Sequence, residues 1–166
     1  MGGLYLFATG KWNGAPDKPV SSPRERRETG VLGVIGIVIV AHGGLAKEYL
    51  AALEHVVGPL EAARAISVGP EDSLETRQNE ICAASNDVDR GDGVVLVTDL
   101  FGSTPSNLAM KACNQPDMDV LYGANLPMLV QLAKARHLDR KSAVASAVES
   151  GRRYINSRGG PTERAT

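Results

Sequence analysis

The sequence predicts an α/β domain, a parallel sheet with helices on both faces. Three observations predict it. Short runs of strand character recur four times, at residues 35–41, 63–68, 93–98 and 119–124. Stretches with helical spacing and helix-start signals stand between them. The first run is apolar throughout and the third is apolar up to Thr98, rather than alternating, which is how strands buried on both faces read. Parallel neighbours need a crossover long enough to hold a helix, so this alternation closes into a parallel sheet.

Taken in order, "IGIVIVA" is the first strand. Residues 45–57 place Leu45, Tyr49, Leu53 and Val56 on one helical face. "ARAISV" is the second strand. Asp72, with Glu75 three positions on, reads as a capping box that opens a helix to about residue 87. "GVVLVT" is the third strand. Thr104 suits an N-cap and Pro105 the first position of a helix running to about residue 113. "DVLYGA" is the fourth strand, and Pro127 opens a helix through residue 137. A last helix covers residues 140–150 and stops at Gly151. Right-handed crossovers make a flavodoxin-like strand order of 2-1-3-4 the economical topology.

The flanks read differently. Residues 1–33 hold Pro16, Pro19, Pro23 and the charge run "RERRE" without periodicity, the composition of an unstructured arm. Residues 157–166 read as a tail, which leaves residues 34–156 as the folded domain.

Composition narrows the function classes. At 166 residues the chain has room for one domain with a real core. Aromatics make up 4%, so that core must come from Val, Ile, Leu and Ala. A net charge of −1 gives no electrostatic case for nucleic acid. Cys82 and Cys113 lack CxxC spacing, so neither a disulfide framework nor a zinc knuckle is indicated, and a reducing cytoplasm fits. No apolar stretch approaches the length of a membrane span. The early "LYLFA" is too short for a secretory h-region.

The predicted order has a chemical consequence. Strands 1 and 3 lie side by side, and their following helices leave toward opposite faces. The crevice at their carboxyl ends is the switch point where ligands bind in such sheets. His42 ends the first strand and is followed by Gly43 and Gly44; Asp99 ends the third and is followed by "LFGSTPSN". A carboxylate beside an imidazole fixes its tautomer and leaves the other nitrogen a free nucleophile. A helix N-terminus behind Ser103 and Thr104 offers N–H groups and hydroxyls to an anion. The glycines let backbone approach closely. Each piece alone is ordinary strand-end or helix-start chemistry; their joint placement points to phosphoryl transfer through histidine. His55 and His137 lie far from His42 in sequence and read as surface or capping residues, so no metal site is expected.

Three segments, "IGIVIVAHGGLAKEYL", "VVLVTDLFGSTPSNLAM" and "LYGANLPMLVQL", resemble the signature segments of the enzyme IIA domain of the mannose-type family of the bacterial phosphoenolpyruvate:sugar phosphotransferase system. The resemblance covers residues 34–155, in the family's order and spacing. It implies that His42 carries a phosphoryl group on Nε2, that Asp99 orients it, and that Thr104 contacts the phosphoryl group, with Gly43 and Ser103 in the same cradle. It implies a phosphocarrier that takes the group from phospho-HPr and hands it to an enzyme IIB histidine. It implies no cofactor, a cytoplasmic protein, and contact with the membrane only through a permease complex. It also implies a homodimer that exchanges a C-terminal strand, here residues 152–155. The family usually reads Gly-Gly where this chain has Gly102-Ser103, which strains Ser103 if that position demands positive φ.

Leu100, Phe101, Leu126 and Met128 are candidate docking residues beside the site, whereas Leu129 and Leu132 read as core. Two other roles stay open within phosphotransfer: a stand-alone regulatory enzyme IIA, and a phosphoryl donor for dihydroxyacetone kinase. "AHGG" also resembles an esterase oxyanion loop, but the chain has no G-x-S-x-G elbow, and it has no GxxxxGK[ST] loop for ATP.

Overall fold

In a computed structural model, the chain is described over residues 33–113 and 116–158. The arm inferred for residues 1–33 lies outside the described residues apart from Gly33. So does the inferred tail beyond residue 158.

Four strands form one parallel sheet in the order β2-β1-β3-β4. They are β1 (Gly36–His42), β2 (Ala63–Val68), β3 (Val94–Thr98) and β4 (Met118–Leu121). The helices are α1 (Leu45–Val57), α2 (Leu74–Val88), α3 (Thr104–Ala112), α4 (Leu126–Ala135) and α5 (Arg140–Arg153). The expected flavodoxin-like order is therefore the one found.

Side chains on a strand alternate between faces, and β1 feeds two separate cores. Ile37, Ile39 and Ala41 pack with Leu53 of α1, Leu129 and Leu132 of α4, and Ala143 and Ala147 of α5. Val38 and Val40 pack with Ile81 and Val88 of α2 and Leu108 and Ala109 of α3. Both cores are aliphatic, as the scarcity of aromatics required. β1 is fully buried up to Ala41, and only His42 emerges. The apolar run thus holds the histidine's backbone rigidly while its side chain leaves the sheet.

Several local expectations shift. The buried stripe of α1 runs through Ala46 and Leu53, with Tyr49, Leu50 and Val57 against it, whereas Leu45 and Val56 are exposed. Leu45 opens the helix beside the site, where no layer covers it. Ser73, not Asp72, caps α2, accepting the Thr76 N–H at 3.3 Å. Asp72 is engaged by the preceding loop instead. Ser103, not Thr104, is the N-cap position of α3, so Thr104 is already helical. Asn125 caps α4 by accepting the Met128 N–H, which starts that helix one residue before Pro127. β4 is shorter than expected because the chain turns away through Gly123, whose φ is +72°.

The C-terminal strand is corrected outright. Gly151 does not end α5. It is buried inside the helix, packed on Asn125 and Met128, and the helix runs on to Arg153. In the described chain residues 152–155 are therefore the last helical turn and its exit, not a strand. Arg152 and Arg153 suit that place, since cations near a helix C-terminus offset its partial negative charge.

Candidate active site

Register brings the two strand ends together. β1 and β3 pair with Val40 opposite Thr98, so His42 and Asp99 leave adjacent strands within one residue of each other in register. The Asp99 carboxylate reaches His42 twice through one oxygen. Oδ2 lies 2.8 Å from the ring Nδ1 and accepts the His42 main-chain N–H at 3.2 Å. Oδ1 accepts the Leu100 N–H at 3.0 Å. Asp99 therefore clamps the backbone and the ring of one residue together. With Nδ1–H as donor, Nε2 keeps its lone pair and faces away from the carboxylate.

The pair sits half in water. The His42 side chain is 49% exposed and the Asp99 side chain 12% exposed. Burial pushes the Asp99 carboxyl up, but hydrogen bonds from the His42 ring and main chain, with the ring's charge, outweigh it and hold the group below the usual 3.8. The ionised form is thus the one built into the site. Behind it, the Tyr49 hydroxyl donates to Ala124 O at 2.8 Å and ties α1 to the β4–α4 loop. Burial and then the Asp99 charge push that phenol up, so it keeps its proton for this bond.

A cavity of about 230 Å³ opens beside His42. Gly43, Val68, Gly69, Pro70, Asp72, Leu74 and Thr104 line it. Thr104 is thus brought to the histidine, as the sequence indicated. Its helix start leaves first-turn N–H groups without acceptors inside the helix. Gly43 lines the same space, but its N–H donates to Val68 O at 2.9 Å and is not free for a ligand. Its φ of +52° is what calls for glycine; close approach is not, since a Cβ there would meet nothing within 4 Å. Ser103 departs further from expectation. Its hydroxyl donates back to Leu100 O at 2.7 Å, away from the cradle. Its φ of −83° is ordinary extended backbone; Gly102 takes the positive φ, so the serine is unstrained.

The four candidate docking residues separate. Leu100 and Phe101 are 61% and 67% exposed, and Phe101 stacks edge-on against Tyr122 with ring centroids 4.9 Å apart. Leu126 is half-buried against the core of α1 and α4. Met128 is 6% exposed and packs within that core, not on an exposed lip. Its position one turn into an amphipathic helix turns it inward beside Leu129 and Leu132. His55 and His137 are exposed and away from the site.

Sequence reasoning missed the β2–α2 loop as a wall of the cavity. The signal was available: in a 2-1-3 order the loop after β2 must flank the loop after β1, and "GPEDS" follows β2 directly. Tyr122 was missed because its ring is placed only once β4 ends early.

Fold and site together define a doubly wound α/β domain with a carboxylate-oriented histidine at its switch point. The EIIA-man family model, described as "PTS system fructose IIA component", matches residues 36–149, and the chain belongs to that family. It is 33% identical over 135 residues to the PTS system mannose-specific EIIAB component of Escherichia coli K12, an alignment covering 79% of this chain. It spans 42% of that relative's length. The fold matches the mannose/sorbose specific IIA subunit from Enterococcus faecalis with a TM-score of 0.68 and 27% identity, covering 77% of this chain and 97% of that one. It also matches the phosphotransferase system component EIIA from Streptococcus agalactiae with a TM-score of 0.67 and 26% identity, covering 74% and 96%. No helix among the described residues is long and apolar enough to cross a membrane.

Proposed function

We infer that this chain is a phosphocarrier: His42 accepts a phosphoryl group from the phosphohistidine of HPr and passes it to a histidine of an enzyme IIB. The 2.8 Å contact between Asp99 Oδ2 and His42 Nδ1 carries this reading. It commits Nδ1 to the carboxylate and leaves Nε2 as the nucleophile. In the accepting step the Nε2 lone pair forms the new N–P bond, while the N–P bond of phospho-HPr breaks and its electron pair returns to the donor imidazole. Bonds of the same type form and break, so the site needs positioning and charge stabilisation rather than a nucleotide or a metal. Asp99 supports the positive charge growing on the ring. Thr104 and the start of α3 line the cavity where the phosphoryl oxygens would gather. Leu100, Phe101 and Tyr122, with Leu45 and Leu74 around the histidine, form the apolar rim on which HPr and enzyme IIB would dock in turn.

Incubation with phosphoenolpyruvate, enzyme I and HPr tests the reading. The expected result is one acid-labile, base-stable phosphate per chain, discharged when a mannose-family enzyme IIB is added. No label, or label that an enzyme IIB cannot remove, sinks it.

A homodimer belongs to the same reading. β4 is an open sheet edge, and a groove of about 410 Å³ beside it is lined by Val120, Leu121, Tyr122, Met128, Val148 and Ile155. Such edges are covered in natural proteins. Sedimentation equilibrium at micromolar concentration should give twice the chain mass; a monomer there removes this part of the proposal.

A further inference from the structure

The wall opposite Thr104 carries a carboxylate. Asp72 lines the His42 cavity, where a phosphoryl group would bring up to two negative charges. Left alone, that carboxylate would repel the group. It is not left alone. Arg77, one turn into α2, grips it with two nitrogens: Nε donates to Oδ2 at 2.8 Å and Nη2 to Oδ1 at 3.1 Å. The Gly69 N–H also donates to Oδ2, at 2.7 Å, closing the loop around the carboxylate. The Arg77 hydrogen bonds, then the Gly69 one, hold the Asp72 carboxyl below its usual value, so it stays ionised. The third Arg77 nitrogen pairs with Glu80, further along α2 and outside the cavity lining.

We propose that Arg77 is a positioning residue of the phosphoryl site: it shapes the β2–α2 loop through Asp72 and offsets the charge that Asp72 brings to the His42 cavity. This rests on the phosphocarrier reading but names a residue outside the histidine, its carboxylate and the α3 cradle. Arg77 bonds to Asp72 and Glu80 and is not among the residues lining the cavity, so it acts through Asp72. The loop cannot easily do without the carboxylate, which ties Gly69 to the start of α2, so a carboxylate in the wall calls for a cation behind it. Arginine suits the place, since its fork matches a carboxylate at both oxygens and stays charged.

The test uses phosphoramidate, which transfers its phosphoryl group to histidine with loss of ammonia and needs no partner protein. Labelling of His42 is followed by ³¹P NMR in the full chain and repeated with phospho-HPr. Arg77→Met should label about tenfold more slowly, the size of one uncompensated charge near a surface site. Arg77→Lys, which keeps the charge and loses the fork, should stay within about threefold of the parent. Arg77→Met combined with Asp72→Asn should recover to within about threefold of the parent, because the asparagine oxygen still accepts the Gly69 N–H while the charge is gone. A double variant as slow as Arg77→Met, or an Arg77→Met that labels at the parental rate, overturns the proposal. If the parent labels with phosphoramidate but not with phospho-HPr, the partner reading fails while the Arg77 series still decides. If His42 labels with neither, both fall.

Discussion

Replacing His42 with alanine is expected to abolish phosphoryl labelling while leaving a folded domain. The chemical part follows from the nucleophile. Without Nε2 no lone pair at the strand end can displace phosphorus, and neither of the other two histidines shares the setting. His55 lies on the exposed side of α1 and His137 just beyond α4, both exposed. His55→Ala and His137→Ala should therefore label fully. The structural part follows from what the ring touches. It is 49% exposed and, among the described residues, bonds only to Asp99, so its loss opens no core cavity. Asp99 keeps the main-chain N–H groups of residue 42 and Leu100, and loses the ring's hydrogen bond and charge, so its carboxyl titrates higher. The cost in stability should be about 1 kcal/mol, the net worth of one hydrogen bond. Radiolabel transfer and a thermal melt on the same sample check both halves. Label retained in His42→Ala would place the phosphoryl group elsewhere and end the argument from the switch point.

The strand order and the meeting of His42 with Asp99 were legible in the sequence because both follow from the backbone. Continuous apolar runs force two-sided burial, crossover handedness fixes their order, and register then sets two strand ends side by side. Thr104 was legible for the same reason, since a helix must start directly after the β3 loop. What the sequence hid depends on where single atoms point. Ser103 and Thr104 look equally suited to an anion, but Ser103 spends its hydroxyl on Leu100 O. Gly43 looks like an open donor, but its N–H continues the β1–β2 ladder onto Val68. Asp72 looks like a cap, but Ser73 behind it has the extended backbone an N-cap needs, and Asp72 turns to Arg77. Met128 looks like a lip because it follows a loop, but it lies one turn before Leu132 on the face that packs into the core. Polar side chains with several partners in reach, and helix phase near a terminus, are decided by packing that a linear pattern does not encode.

Asp99→Asn is expected to slow phosphoryl acceptance at least tenfold in a domain that still folds. The carboxylate has three donors around it: the His42 ring, the His42 main chain and the Leu100 main chain. An amide has one oxygen for three donors. If that oxygen faces His42, its NH₂ meets the Leu100 N–H; if it turns to Leu100, its NH₂ points at Nδ1 and favours the tautomer with the proton on Nε2. The second arrangement removes the nucleophile, and the first leaves the developing imidazolium without a counter-charge. Losing a charge-assisted hydrogen bond is worth about 1.5–3 kcal/mol, which is about one to two decades in rate. The side chain is only 12% exposed, so the mismatched amide should also lower the melting temperature. The pH dependence gives the sign. The Asp99 carboxyl is held below 3.8 in the folded chain, so its contribution is fully present above the unfolded value. That contribution is lost as pH falls through the lower, folded value. The stability gap between parent and variant should therefore be constant near neutrality and close in acid. Rapid-quench labelling from phospho-HPr, with melts at neutral and acid pH, measures all of this; an unchanged rate would mean that the bond seen between Asp99 and His42 does not orient the nucleophile.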